Sequence, residues 1–203
     1  VADGMGGHVR GETASALARE TIVREVRQKI PLVQAIQTAG AEILQMSQRR
    51  DDNRPMGATV VVARIKDDVF ELAWIGDSRA YLWQERQLLQ VDHHLGRSSS
   101  EVGQPSTAKE PARMHSQPNT LTQALGVTDP TYLNVSYFSG KLRPGMQLLL
   151  CSDGLTEEVE DSLITAALSQ QDLSAQECVD MLVAAALDSG GSDNITVILI
   201  RCH

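Results

Sequence analysis

The hydrophobic period of this chain changes abruptly near Pro55, which restricts it to folds that lay helices against sheets. Between residues 11 and 30, Ala14, Leu17, Ala18, Ile22 and Val26 recur at steps of three and four, the stripe of an amphipathic helix. Pro31 ends that helix, and a second helical period runs from Leu32 through Ile36, Ile43 and Met46 to a polar breaker at 49–55. Residues 59–65, 69–74, 79–83 and 88–91 are instead short runs rich in β-branched and aromatic side chains, separated by Lys-Asp-Asp, Gly-Asp-Ser and Glu-Arg. They predict four strands in an antiparallel meander.

From His93 to Thr120 no period survives and Ser, Pro, Gly and charges dominate, which predicts a long surface loop or flap. Residues 132–138 and 146–151 then read as strands on either side of Arg143-Pro144-Gly145. Residues 174–187 read as a helix with Cys178, Met181, Leu182 and Ala185 inward, and 195–201 as a closing strand. Each sheet face and each helical stripe has to be buried, so two sheets pack together with helices outside. With 203 residues, 42% of them apolar, the chain is sized for a single domain, 1–203.

A formal charge of -8 argues against a nucleic-acid or anionic-membrane surface, which needs clustered Lys and Arg. No apolar run approaches the roughly 20 residues that span a bilayer, so membrane insertion is not expected. Cys151, Cys178 and Cys202 show no metal-knuckle or disulfide spacing, and free thiols suit a cytoplasmic protein. The segment 6–13 resembles a phosphate-binding G-x-x-x-x-G-K-[ST] loop, but Glu12 stands where the lysine must be. Val9 likewise occupies the third glycine position of a G-x-G-x-x-G turn. Both nucleotide-binding readings fail.

Three acidic turns remain: Ala2-Asp3-Gly4-Met5-Gly6-Gly7, Ser152-Asp153-Gly154 and Gly191-Ser192-Asp193-Asn194. The last two abut apolar strands, and the first would follow one placed upstream. Carboxylates at strand ends, beside glycines that admit close backbone approach, suit a hard cation. Taken singly, each is also an ordinary turn dipeptide.

Taken together and in order, these turns resemble the metal-dependent protein phosphatases of the PPM or type 2C family. Further matches are Gly11-Glu12-Thr13-Ala14-Ser15, Gly57-Ala58-Thr59, Gly76-Asp77-Ser78-Arg79-Ala80-Tyr81, Asp92-His93, Leu121-Thr122-Gln123-Ala124-Leu125-Gly126 and Asp193-Asn194-Ile195-Thr196. The resemblance spans the chain from Val1. It implies an α+β fold, a four-layer α-β-β-α sandwich of two antiparallel sheets, with the family's first strands lying before Val1.

The resemblance also implies two Mn²⁺ or Mg²⁺ ions, which activate a water to hydrolyse phosphoserine and phosphothreonine in proteins. No nucleophilic Cys or Ser is required. Asp3 would bridge the ions, the Gly4 carbonyl would ligate one, and Asp153 and Asp193 would hold the other. Asp77, otherwise a plain turn residue, would join Asp153 at a third, weaker ion. Glu157 contributes in some relatives and is otherwise a solvated acid in the run Glu157, Glu158, Glu160, Asp161. Arg79 is expected to be structural, and Asp92 carries no role beyond a turn.

The family's phosphate-gripping Arg and its Asn-Glu-Asp stretch would precede this chain, which would leave the sites here an incomplete set. Met5 occupies the position where some relatives carry a general-acid His, and Met there is common in bacterial members; His8 is not expected to replace it. The implied partners are phosphorylated proteins and an opposing Ser/Thr kinase, with the domain acting as a monomer. Two alternatives stay open: a noncatalytic phosphatase-like domain that binds a regulatory partner or a phosphoprotein, and a bacterial stress-response regulator phosphatase acting on an anti-sigma antagonist.

Overall fold

The computed structural model describes residues 1–49, 55–91 and 123–203. The expected flap at 93–120 and Asp92 lie outside them. Helix α1 (His8–Arg27) and helix α2 (Leu32–Gln48) form as their periods predict. Lys29 in the left-handed region (φ 66) and Pro31 as the N-cap of α2 make the corner between them. Thr21 and Arg24 of α1 both bond to the Glu42 carboxylate of α2, each at 2.6 Å.

Among the described residues, eight strands form two antiparallel sheets. The first contains β1 (Ala2–Met5), β2 (Gly57–Lys66), β3 (Val69–Ile75) and β6 (Ser136–Lys141), in the order β1-β2-β3-β6. The second contains β4 (Arg79–Gln84), β5 (Gln87–Val91), β7 (Gln147–Cys151) and β8 (Val197–Arg201), in the order β5-β4-β7-β8. Three short or capped helices accompany the second sheet: α3 (Asp153–Thr156), α4 (Asp161–Leu168) and α5 (Ala175–Ser189).

Three apolar clusters separate the four layers. Ala14, Ala18, Ile22, Ile36 and Ile43 of the helix pair pack on Ala58, Val60, Ala73 and Ile75 of the first sheet. Ile164, Leu168 and Leu182 pack on Tyr81, Trp83, Leu149 and Cys151 of the second. Between the sheets lie Val61, Phe70, Leu72 and Trp74 against Ala80, Leu82, Leu148 and Leu150. Side chains alternate across each strand, so even-numbered residues of β2 face the helices and odd-numbered ones face the other sheet. Each fully buried large apolar side chain contributes roughly 1.5–3 kcal/mol, and all three interfaces are built of them. This is the expected α-β-β-α sandwich.

Several expectations are corrected. The four strands at 57–91 are not one meander: β2 pairs with β3 and β4 with β5, but β3 and β4 belong to different sheets. Both sheet faces are apolar in each hairpin, so each needs its own cover, and Gly76-Asp77-Ser78 carries the chain from one sheet to the other. The segment around Asp3 is not a turn after a strand; it is itself the strand β1, with Asp3 opposite Thr59. The strand expected at 132–138 begins at Ser136, because Asp129 caps a 3₁₀ turn at Pro130–Tyr132 through a 2.9 Å bond from the Thr131 amide. The acidic run ends in helix α4, which starts at Asp161.

Candidate metal centre

The predicted acids arrive at one end of the inter-sheet layer on four separate segments. Asp3 occupies an odd position of β1, in line with Val1, which packs among the inter-sheet residues. Asp77 lies in the link between the sheets, Asp153 opens α3 directly after β7, and Asp193 lies between α5 and β8. Gly4, on the opposite face of β1, lets that strand sit against α1. A Cβ at Gly4 would stand 1.9 Å from the Gly11 carbonyl oxygen, and one at Gly11 would stand 2.4 Å from the Gly4 oxygen. Neither backbone can yield, so Gly4 and Gly11 are required together.

The segments bearing Asp153 and Asp193 are laced to one another. Ser152 is 1% exposed; its hydroxyl donates to the Asn194 carbonyl at 3.0 Å and accepts from the Thr196 amide at 3.0 Å. Its own amide donates to the Thr196 carbonyl at 3.0 Å. Gly154 permits this approach, since a Cβ there would lie 2.5 Å from the Asn194 oxygen. On the other side the Glu158 carboxylate accepts from the Ser192 amide at 3.1 Å and from its hydroxyl at 2.6 Å. The Asp77 link is fixed in turn by a buried 2.8 Å hydrogen bond between the Ser78 and Thr59 hydroxyls.

The four aspartates act on one another electrostatically. Burial, a hydrogen bond shared with Asp153, and the charges of Asp153, Asp193 and Asp77 push the Asp3 carboxyl up to about 7. Asp77 is raised by burial and by Asp153. Glu157, exposed one helical turn after Asp153, is raised by desolvation and by Asp153, Asp193 and Asp77. Asp153 Oδ1 is buried without a hydrogen-bond partner, a position that costs several kcal/mol for a carboxylate unless a cation faces it.

The donor set fits hard divalent cations: oxygen ligands only, in excess of any positive charge among them. Among the described residues, no three Asp, Glu, His or Cys side chains converge tightly enough to enclose an ion unaided.

Arg79 is tied into the second sheet. Its guanidinium donates to the Tyr81 hydroxyl at 3.2 Å, and that hydroxyl donates to Asp161 Oδ1 at 3.0 Å, pinning the start of α4 to the second sheet. Burial pushes the neighbouring Cys151 thiol up to about 12, which leaves it an inert core group.

Sequence reasoning placed the four aspartates but missed Ser152, Ser78, Thr59 and Glu158, which frame them. Glu158 was counted among solvated acids. Its one sequence signal is its place beside Glu157, a turn after Asp153, where a carboxylate can reach the glycine-rich loop 190–193.

The chain matches the family model described as Protein phosphatase 2C over residues 1–187. It is 37% identical to the serine/threonine phosphatase stp of Listeria monocytogenes over 214 residues, covering 99% of this chain and 82% of that protein. It is 34% identical to the protein phosphatase PhpP of Streptococcus pneumoniae, over 100% of this chain and 85% of that one. Among solved structures, the catalytic domain of the serine/threonine phosphatase PstP in complex with two manganese ions superposes with a TM-score of 0.74. That match has 27% identity and covers 98% of this chain and 84% of that one. A carboxylate-lined end of an α-β-β-α sandwich is the arrangement of a metal-dependent phosphatase. The chain belongs to the protein phosphatase 2C family.

Proposed function

We infer that this chain is the catalytic domain of a metal-dependent protein serine/threonine phosphatase, and that Asp3, the Gly4 carbonyl, Asp153 and Asp193 hold its two principal ions. The buried, donorless Asp153 Oδ1 among Asp3, Asp193 and Asp77 carries the assignment. Asp3 and the Gly4 carbonyl, with Asp153 and Asp193, would hold the two ions, and Asp77 with Asp153 would hold a third, weaker one. Glu157, exposed at the rim, would add a further carboxylate. Mn²⁺ or Mg²⁺ suits this all-oxygen set.

When bound, the ions supply Lewis-acid activation of a water and neutralise the phosphoryl oxygens. The protein's own part is positional. Ser152 and Glu158 hold the Asp153 and Asp193 segments at fixed separation, so little reorganisation accompanies ion binding. Met5 has no proton to give, and no step is assigned to it.

The substrates are proteins phosphorylated by an opposing Ser/Thr kinase, and the domain, residues 1–203, acts as a cytoplasmic monomer. Among the described residues no helix is long and apolar enough to cross a membrane. Replacing Asp153 with Asn tests the ligand assignment in the full-length protein. Calorimetric Mn²⁺ affinity is expected to fall by at least about tenfold, and turnover of p-nitrophenyl phosphate by about a hundredfold or more. Unchanged affinity and turnover remove Asp153 from the site.

A further inference from the structure

We propose that Val127 and Met5 form an apolar ledge at the rim of the aspartate cluster, which receives an apolar side chain one or two residues from the phosphorylated residue of a substrate protein. This deepens the phosphatase reading and rests on it for the identity of the substrate. Gly57 and Met5 are directly opposed across β1 and β2, as Thr59 and Asp3 are one pleat further along. Met5 therefore shares the face of β1 that carries Asp3, roughly 7 Å away, about the span of two extended peptide residues.

Gly57 has no side chain, and the space is filled by its neighbours. The position a Cβ would take lies 2.8 Å from Val127 Cγ2 and 3.2 Å from Met5 Cγ. Both side chains thus border the space over Gly57, on the face that carries Asp3. A single exposed valine is ordinary, but Val127 is 53% exposed on a turn with little freedom to bury it. Leu125 and Ala58 exchange two backbone hydrogen bonds of 2.9 and 3.1 Å, and the Thr128 amide closes on the Ala124 carbonyl at 3.0 Å. The Thr128 hydroxyl accepts from the Ala124 amide at 3.2 Å. A rigid apolar surface beside a charged site gains affinity at small ordering cost, and this one lies two residues along β1 from Asp3, within reach of the residues that flank a phosphorylated side chain held at the aspartates.

The test uses the full-length protein with Mn²⁺ and phosphothreonine peptides carrying Leu or Ser at each of the two positions on either side. Binding by fluorescence anisotropy and kcat/KM are both read. Leu is expected to be favoured about tenfold at one position, and V127S and V127D are expected to reduce that ratio to within about twofold. A wild-type ratio below about twofold at every position, or a V127S ratio equal to wild type, overturns the proposal. If V127S melts early, the near-isosteric V127T serves in its place under the same criterion. Leu-selective binding that depends on Val127 without turnover of any peptide supports the ledge and defeats the catalytic reading. No binding and no turnover of any phosphopeptide defeats both.

Discussion

At the scale of single residues, the aspartates oppose the fold that gathers them. Burial and its acidic neighbours push the Asp3 carboxyl up to about 7 from an ordinary 3.8, because they disfavour its charge. A folded-state value above the unfolded one means stability that is present below about 3.8 and lost as pH rises through about 7. Glu42, Glu158 and Glu177 run the opposite way: hydrogen bonds hold them below the usual carboxylate value, and their gain is complete by about pH 5.5. Metal-stripped protein is therefore expected to lose melting temperature between about pH 5.5 and 7.5, and Asp3→Asn to flatten that slope. Mn²⁺ should raise the melting temperature more at the upper end of this window than at the lower. Calorimetric scans across the window check all three, and a metal-stripped protein whose melting temperature rises over it contradicts the account.

At the scale of elements, close approach governs what can change. Gly11→Ala should gain about 0.5–1 kcal/mol of helix propensity, yet its Cβ meets the Gly4 carbonyl oxygen at 2.4 Å. Overpacking against backbone costs about 1–3 kcal/mol, so the clash wins. Urea unfolding is expected to show net loss, with weaker Mn²⁺ binding because the Gly4 carbonyl is displaced. Ser152→Ala removes a buried hydroxyl and leaves the Asn194 carbonyl and Thr196 amide short of a partner, at about 1–3 kcal/mol, again with weakened metal affinity. Ser174→Ala provides the contrast: it breaks the capping box with Glu177 that starts α5. It should cost about 1 kcal/mol and leave metal affinity unchanged.

The same elements show what the sequence made legible. Helices α1, α2 and α5 were readable because their buried stripes repeat with helical period, and the strands of 57–91 because they are β-branched and apolar. β1 was not, since Ala2-Asp3-Gly4-Met5 has no strand-forming side chain and exists by pairing with β2. Nor was the split of the expected meander, because alternation marks a strand without naming its neighbour. The four aspartates were legible as motifs. Their framing was not, since Ser152 meets Thr196 and Glu158 meets Ser192 across 44 and 34 residues of chain.

At the scale of the whole molecule, three apolar layers fix two sheets so that four segments from distant parts of the chain present carboxylates at one end. That division lets the rigid sandwich carry the unfavourable electrostatics of the cluster, which bound cations then offset. Asp153 Oδ1, buried without a hydrogen-bond partner beside three other acids, is the group a bound cation would satisfy. The most direct measurement is phosphate release from a phosphothreonine peptide by the full-length protein, first with EDTA and then with Mn²⁺ restored. The account predicts that release is abolished by the chelator and recovers by at least about a hundredfold with Mn²⁺. Release that is indifferent to metal, or none from peptide or p-nitrophenyl phosphate at saturating Mn²⁺, would contradict it.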